Sequence, residues 1–360
     1  MAQTSVIIIG AGIAGLAAGC YAQMNGYDTE IYEAHDKPGG LCTAWKRKGY
    51  TVDGCIHHLA GASPAVEFYR LWEELGAVQG REMVFRDTLT QVESADGQVL
   101  TIYTDIDRLE RHMKQLSPAD AKVIEEYTNG ARQFTRIDLF SLMTMTPLQT
   151  ALKALPVAAA FAKWSSLTLD QFAARFQDPF LRRAFPTVQY DFADIPMFLH
   201  LNFLAGCHNK TLGWPKGGAL SFAGSMADRY ERLGGRIHYR SRVSRILVEG
   251  DRAVGIVADG TEHKADVVIS AADGHSTIFD MLGGKFADER IRRYYEAAPR
   301  HIEMALQVSF GVNRDMAEEP QALTWFLPEP VTIVDRDLDR IDVEVYNFDD
   351  TLAPEGKTVV

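Results

Sequence analysis

The sequence predicts an α/β fold in which a mixed sheet carries a βαβ unit, joined to a second α+β domain rich in helices. Three observations support this: an apolar strand that runs into a glycine-rich turn near the N-terminus, a block of short strands after residue 212, and a long helical segment between them. The first domain is therefore expected to be discontinuous. We predict that it comprises 1–80 and 212–285, and that the second domain comprises 81–211 and 286–360.

The N-terminal strand, Ser5–Ile9, leads directly into the pattern Gly-x-Gly-x-x-Gly. Gly10 permits a tight turn off the strand, Gly12 has no Cβ to block a pyrophosphate, and Gly15 lets the following helix pack close to the sheet. A glycine-rich turn in this strand-to-helix context is typical of a dinucleotide site, whereas the pattern alone would be weak evidence.

The helix that follows offers its first turn, which includes Ile13 and Ala14, to the phosphates. Its unpaired N–H groups and about half a positive charge favour an anion there. A second strand, Thr29–Tyr32, ends on Glu33, 18 residues beyond Gly15, which is close to the spacing at which an acidic side chain meets the adenosine ribose.

The carboxylate of Glu33 disfavours NADP, because it would repel a 2′-phosphate, and leaves FAD or NAD. The next residues decide between them. After Ala34 comes a glycine pair, Gly39 and Gly40, and then Leu41. Adjacent glycines let the chain pass tightly beside a second stretch of pyrophosphate toward a flavin, so we predict FAD.

Two blocks of sequence resemble FAD-dependent oxidoreductases related to phytoene desaturase, carotenoid isomerase and retinol saturase. They are GGLCTAWKRKGYTVDGCIHH (39–58) and, further on, WPKGG (214–218), GGRI (234–237), VSRI (243–246) and ADVVISAAD (265–273). The resemblance implies that the strand bearing Val243 closes over the adenine and that Ala271 ends a strand of the FAD sheet. It is densest in 1–62 and 212–285.

The resemblance implies an oxidoreductase that acts on a hydrophobic alkene or polyene by desaturation, saturation or isomerisation. A flavin amine oxidase-like enzyme is an alternative, but such oxidases commonly carry a basic residue where this chain has Leu41. Members of the family usually end with a glycine-rich segment that completes the flavin site, and the sequence up to Val360 lacks it. We therefore expect a shortened chain, for which an FAD fold without catalytic activity is the second alternative.

The resemblance also places three polar residues near the flavin ring. For Asp53 we expect a structural contact in a turn or cap, whereas His57 and His58 are the candidate catalytic residues on the substrate side. A lone histidine is more often a satisfied hydrogen-bonding residue, and that interpretation stays open. Cys207, His208 and His58 lack metal-ligand spacing, so no metal site is predicted.

Composition indicates a protein of the cytoplasm. The 37 basic and 48 acidic residues give a net charge of −11 without a basic cluster, which argues against a nucleic-acid partner. The four cysteines form no Cys-x-x-Cys pair, so a reduced setting is expected. No run of sequence is apolar enough to span a membrane, although the segment 148–164 is expected either to rest on a bilayer surface or to pack as helix core.

The remaining elements follow from periodicity and turn residues. Before residue 212 we predict a short helix over Pro64–Leu75 and two strands, Met83–Glu93 and Gln98–Tyr103, which are joined at Asp96-Gly97. Ser117 and Pro118 begin a further helix, over 118–132. The segment 133–206 is expected to be mostly helical, with breaks near Pro147, Pro156 and Pro186. After residue 212 we predict two helices, Ala219–Leu233 and Asp288–Ala298, and six strands: Arg236–Tyr239, Val243–Val248, Ala253–Ala258, His263–Ile269, His301–Val312 and Ile341–Phe348. We expect a turn at Asp259-Gly260 between the third and fourth of these strands.

Overall fold

The computed structural model describes residues 3–297, 307–333 and 336–360. Its helices are α1 (Ile13–Met24), α2 (Tyr69–Glu74), α3 (Ile106–Leu116), α4 (Ala121–Phe134), α5 (Pro147–Ala154), α6 (Ala158–Ser165), α7 (Leu169–Ala173), α8 (Pro179–Ala184), α9 (Met197–His208), α10 (Gly218–Arg232) and α11 (Glu289–Ala297).

The strands are β1 (Ser5–Ile9), β2 (Asp28–Tyr32), β3 (Ala44–Arg47), β4 (Tyr50–Asp53), β5 (Leu59–Ala60), β6 (Met83–Val84), β7 (Thr88–Glu93), β8 (Val99–Tyr103), β9 (Val188–Asp191), β10 (Leu212–Pro215), β11 (Arg236–His238), β12 (Val243–Glu249), β13 (Arg252–Ala258), β14 (Thr261–Lys264), β15 (Val267–Ser270), β16 (Gly311–Val312), β17 (Ala322–Ile333), β18 (Arg336–Glu344) and β19 (Thr358–Val359). The predicted α/β fold class is confirmed.

A parallel sheet with strand order β11-β2-β1-β15 carries the N-terminal βαβ unit. We expected a mixed sheet, but all described pairs of this sheet are parallel. The antiparallel strands β12, β13 and β14 form a separate sheet. This second sheet packs on one face of the parallel sheet, where Ile7 and Ile9 meet Val243 and Ile256. Helices α1 and α10 cover the other face.

Helices α1 and α10 approach each other closely at Gly19. A Cβ at this position would lie 2.7 Å from the ring of Tyr230, which is fully buried. The Tyr230 hydroxyl lies 2.9 Å from the backbone oxygen of Thr29 and donates to it, so the same side chain fastens α10 to β2. The absence of a side chain at Gly19 therefore sets the distance between the two helices.

A mixed sheet with strand order β18-β17-β7-β8 forms the centre of the second half of the fold. Helices α3, α4 and α9 pack on it through a large core that includes Leu109, Tyr127, Leu201 and Phe326. Periodicity did not predict α3. Asp105 caps the start of this helix, because its carboxylate accepts from the Arg108 amide at 2.7 Å. Periodicity also missed β9 and β17.

Two predicted strands are in fact split where the chain passes from one sheet to another. The predicted strand 83–93 becomes β6, which pairs with β10, and β7, which pairs with β8. The predicted strand 263–269 becomes β14 and β15, because the Asp266 carboxylate accepts from the Ser5 amide at 2.9 Å and draws the chain into the parallel sheet. The pattern of strand-forming residues on each side of both transitions does not show that the chain changes sheet.

Other boundaries also differ from the predictions. The helix predicted from Pro64 begins only at Tyr69, because the Phe68 amide is taken by the Ser141 hydroxyl at 3.2 Å. The strand predicted over 341–348 is the end of β18, and the chain leaves the sheet after Glu344. Of the strand predicted over 301–312, residues 301–306 lie outside the described residues, and β16 covers its end.

The helix starts and breaks assigned to proline and glycine are confirmed. Pro118 opens a short helical turn that continues into α4, and Pro147 opens α5. Asp259 and Gly260 both have positive φ, 49° and 77°, and form the predicted two-residue turn between β13 and β14. Across the described ranges, no helix is long and apolar enough to cross a membrane.

Replacing Gly19 with alanine is expected to destabilise the protein by about 1–3 kcal/mol, because the new methyl group meets the Tyr230 ring. Gly224→Ala is the matched control. It also lies within a helix, but its Cβ would meet nothing within 4 Å, so it is expected to be neutral or to stabilise by up to about 1 kcal/mol. Urea unfolding of both variants measures this, and equal free energies of unfolding would contradict the packing described.

Candidate functional site

The glycine-rich turn lies at the carboxyl ends of β1 and β15. Gly10 adopts a φ of +96°, which favours glycine, and its amide donates to the Tyr32 oxygen at 2.8 Å. A Cβ on Gly15 would lie 1.9 Å from the Gly10 oxygen and 3.3 Å from the Cβ of Ala271. Gly10, Gly15 and Ala271 are thus packed together, and α1 starts directly above the sheet.

The N-terminus of α1 faces open space. Its N-cap residue is Gly12, which has no side chain to accept from the first-turn amides, and the turn that contains Ile13 and Ala14 carries no acidic residue. A Cβ on Gly12 would meet nothing within 4 Å. The helix therefore presents unpaired N–H groups and its positive end beside a free volume, which is the arrangement that binds phosphate groups.

The glycine pair lies beside this terminus. The Gly39 amide donates to the Ala11 oxygen at 2.8 Å, and a Cβ on Gly40 would lie 3.3 Å from the Cα of Gly12. Both glycines have positive φ, 112° and 58°. Leu41 follows and is exposed. The chain thus passes within van der Waals distance of the first glycine loop.

Glu33 lies at the end of β2, and its carboxylate reaches the same turn. Oε2 accepts from the Ala11 amide at 2.7 Å, and Oε1 accepts from the His35 amide at 2.8 Å. Each oxygen keeps a second lone pair for a further donor. Ala34 beside it is exposed, whereas Val243 is buried under the parallel sheet.

Seven of the predicted cofactor-binding residues therefore meet at one edge of the parallel sheet. They are Gly10, Gly12, Gly15, Glu33, Gly39, Gly40 and Ala271. An anion-binding helix end, an open volume at Gly12 and a carboxylate at the end of β2 fit the pyrophosphate and ribose of a dinucleotide.

Asp53 has the structural contacts expected of it. One carboxylate oxygen accepts from the Ala219 amide at the start of α10 at 2.6 Å, and the other accepts from the Cys55 amide at 3.2 Å. Burial raises the pKa of Asp53, although these amide donors oppose that effect. Asp349 adds a second anchor, since it accepts from the Trp214 indole and the Gly217 amide, both at 2.8 Å.

His57 belongs to a buried polar cluster formed with Arg86 and Glu344. His57 Nδ1 lies 3.0 Å from one Glu344 oxygen, and Arg86 Nη1 lies 3.1 Å from the other. Burial lowers the pKa of His57, but the hydrogen bond that His57 donates to Glu344, together with the Glu344 charge, outweighs burial and raises that pKa above its usual value. Burial raises the pKa of Glu344, yet His57 and Arg86 hold it below its usual range.

His58 has the opposite electrostatic environment. Burial, with a further contribution from the charge of Arg86, lowers the pKa of His58 to about 3, so the ring is neutral at physiological pH. It packs edge-on against Phe203 of α9, with ring centroids 4.8 Å apart. Its Nε2 atom is buried and has no hydrogen-bond partner within the described residues. The pKa values of these two neighbouring histidines are thus shifted in opposite directions.

Sequence reasoning missed Arg86 and Glu344. Arg86 follows the short apolar run Met83–Phe85, and that was the available signal: a cation that becomes buried requires a partner. Glu344 gave no signal, because it lies 258 residues away from Arg86 in the chain.

Comparison with known proteins places the site in a family. Residues 13–277 match the model of a family described as flavin containing amine oxidoreductase. A lycopene-forming phytoene desaturase of Paracoccus sp. is 30% identical over 295 residues, which cover 78% of this chain and 57% of that protein. An all-trans-retinol 13,14-reductase of Danio rerio is 26% identical over 295 residues, which cover 77% of this chain and 48% of that protein.

The chain thus spans about half the length of the curated relatives it matches. Among solved structures, an oxidoreductase from Methanosarcina mazei superimposes with a TM-score of 0.59 at 20% sequence identity, covering 99% of this chain and 77% of that one. At this identity the likeness concerns the fold.

Glu344→Gln is expected to destabilise the protein more at pH 6 than at pH 9. Because the folded-state pKa of His57 is raised, its stabilising contribution is fully present below about pH 6.5, the unfolded-state value, and is lost as pH rises through the folded-state pKa. Urea unfolding at both pH values measures this. Asp339→Asn, at an exposed ion pair with Arg183, is the control without such pH dependence. An equal loss at both pH values would contradict the pairing.

Proposed function

Because this chain belongs to the flavin containing amine oxidoreductase family, we propose that it is an FAD-dependent oxidoreductase acting on a hydrophobic alkene or polyene. The observation that carries the proposal is the α1 N-terminus, which is open at Gly12 and flanked by the Gly39–Gly40 pair and Glu33. Desaturation, saturation and isomerisation of such a substrate are the reactions considered.

FAD is the cofactor, and the chain offers a separate group to each of its parts. Glu33 accepts hydrogen bonds from the ribose hydroxyls, while the first turn of α1 and the glycine pair bind the pyrophosphate. The residues assigned to cofactor contacts are Gly10, Gly12, Ile13, Ala14, Gly15, Glu33, Ala34, Gly39, Gly40, Leu41, Val243 and Ala271. Bound FAD supplies the hydride acceptor or donor for a CH–CH unit.

An apolar substrate is supported by the relatives and by the helical half of the chain. The named relatives include a phytoene desaturase and a retinol reductase. Helices α4, α6, α7 and α9 supply a core rich in aromatic side chains, among them Tyr127, Trp164 and Phe172. This part of the chain lies next to His58 through Phe203.

For the catalytic groups we assign His57 and His58. Both lie where the segment after Asp53 meets β18 and α9, between the parallel-sheet half and the helical half. His57, paired with Glu344, holds a proton at a raised pKa, whereas neutral His58 keeps a free ring nitrogen. The pair therefore offers one proton donor and one neutral polar group to a reacting double bond.

A peripheral contact with a membrane surface is the second proposal, and it concerns how the apolar substrate arrives. Helix α5 buries none of its residues, and Leu148 and Leu152 are 71% and 63% exposed. Leu155 follows at 71%, and Met143 nearby at 78%. Leucines one helical turn apart with Lys153 beside them suit a bilayer interface.

The function is tested with the purified chain, FAD and a polyene dispersed in liposomes. A visible spectrum with flavin bands after gel filtration shows binding, and mass spectrometry of the polyene then separates the reactions. Desaturation removes hydrogen, saturation adds it, and isomerisation leaves the mass unchanged. A chain that retains FAD without changing the polyene is an inactive FAD fold, and one that takes up no FAD contradicts the proposal.

Gly12→Val is expected to abolish FAD retention without unfolding the protein, because its side chain fills the open volume beside α1. Glu33→Ala should only weaken FAD binding, by about tenfold or about 1.4 kcal/mol, since the phosphate contacts remain. Flavin absorbance after gel filtration and FAD titration of the apoprotein measure both. Gly224→Ala serves as the matched control, and equal retention by the Gly12 and Glu33 variants would show that the cofactor lies elsewhere.

The double variant Leu148→Glu, Leu152→Glu is expected to lose flotation with phosphatidylcholine vesicles while it retains FAD, because charge on α5 opposes insertion of its apolar face. Leu338→Glu, at an exposed leucine of β18, is the control that should float as the wild type does. A wild-type protein that carries FAD but stays with the unbound fraction would contradict the membrane contact.

A further inference from the structure

Cys42 and Cys55 face each other across the base of the β3–β4 hairpin. The hairpin pairs Ala44 with Asp53, and the Gly54 amide extends the pairing by donating to the Thr43 oxygen at 3.0 Å. The next residue pair outward is Cys42 and Cys55, whose sulfur atoms lie 3.8 Å apart. A disulfide requires about 2.05 Å between sulfurs, so small side-chain rotations suffice to close the gap.

The other two cysteines differ in accessibility. Cys20 is 0% exposed in α1 and Cys207 is 6% exposed in α9, whereas Cys42 and Cys55 are half-buried. Cys20 also has its own contact, 3.8 Å from the Met226 oxygen. A small reagent in solvent therefore reaches the pair at the hairpin in preference to the buried thiols.

We propose that Cys42 and Cys55 form a reversible disulfide by exchange with a small external disulfide. A Cys55 thiolate attacks the external S–S bond and displaces one thiolate; Cys42 then attacks the mixed disulfide and displaces the second. The protein loses two hydrogen atoms and gains one S–S bond, while the external disulfide is reduced to two thiols. Nothing in the redox balance requires the flavin.

The order of attack follows from the contact between the sulfurs. The Cys42 S–H donates to the Cys55 sulfur, so Cys42 is the thiol that holds its proton between the two atoms. Burial, reinforced by Cys55, raises the pKa of Cys42 to about 12, so Cys42 is a protonated thiol at neutral pH and reacts second. Because a thiol with this pKa is rarely a thiolate, exchange is expected to take minutes to hours.

The disulfide has a consequence for the cofactor site, because Cys42 closes the turn that holds the glycine pair. The Cys42 amide donates to the Gly39 oxygen at 2.9 Å, and Gly40 within that turn lies against Gly12. Cys55 lies on the segment that Asp53 anchors to α10. An S–S bond ties these two segments together beside the pyrophosphate site, so we expect FAD to leave the oxidised protein more slowly.

The test treats the native protein with oxidised glutathione and counts free thiols by alkylation and mass spectrometry. Two of the four thiols are expected to disappear with a mass loss of about 2 Da and to return on reduction. Trypsin cleaves at residues 46–48, between the two cysteines, so a cross-linked peptide reports the bond. Since the peptide with Cys42 also contains Cys20, the variants Cys42→Ser and Cys55→Ser identify the partners, and each should abolish the cross-link.

Separate glutathione adducts on Cys42 and Cys55, or thiols that all remain free, would overturn the disulfide. A cross-link that persists in Cys42→Ser would assign the bond to Cys20 instead. A second arm compares the rate of FAD release from oxidised and reduced protein, with Cys55→Ser as the control that shows no difference. This arm rests on the proposed FAD site, whereas the thiol count does not; equal release rates would overturn the effect on the cofactor site alone.

Discussion

The contact between Gly15 and the carbonyl of Gly10 fixes the geometry on which the candidate cofactor site depends. Only a hydrogen atom fits between the first turn of α1 and the backbone that leaves β1, because a methyl group would lie 1.9 Å from that oxygen. This closeness brings the positive end of α1 to the carboxyl edge of the parallel sheet. The glycine pair and the Glu33 carboxylate are then placed by hydrogen bonds to Ala11, between Gly10 and Gly12.

Two buried carboxylates connect this edge to the rest of the molecule. Asp53 and Asp349 both accept from amides at the start of α10, and they come from opposite ends of the chain. The hydrogen-bond donors that compensate the burial of each carboxylate are thus neutral groups rather than cations. The cluster of Arg86, Glu344 and His57 is of the other kind, in which a carboxylate lies between two basic groups. The first kind holds the backbone in place, and the second raises the pKa of His57.

The sequence predicts what is local and fails where the fold depends on distant partners. The βαβ unit, the turn at Asp259–Gly260 and the helix starts at prolines follow from neighbouring residues, and the structure has them. The strands over 83–93 and 263–269 were predicted as single elements because hydrophobicity does not reveal a change of sheet. Arg86 and Glu344 were missed because their pairing exists only after the chain has folded.

The parallel sheet also constrains the order in which this chain can fold. Strand β1 lies between β2 and β15 in the parallel sheet. Strand β2 follows β1 closely in the chain, whereas β15 comes more than 250 residues later. The contact between Ser5 and Asp266, for example, joins residues that are 261 positions apart. Strands so far apart in the chain pair slowly, because the entropy cost of closing the long loop between them comes before any stabilising contact forms. During synthesis one edge of β1 stays unpaired until β15 has been made. The helices between these two strands can pack against neighbours that are close in sequence. The surroundings of the glycine loop are therefore complete only once Ala271, which follows β15, packs against Gly10 and Gly15.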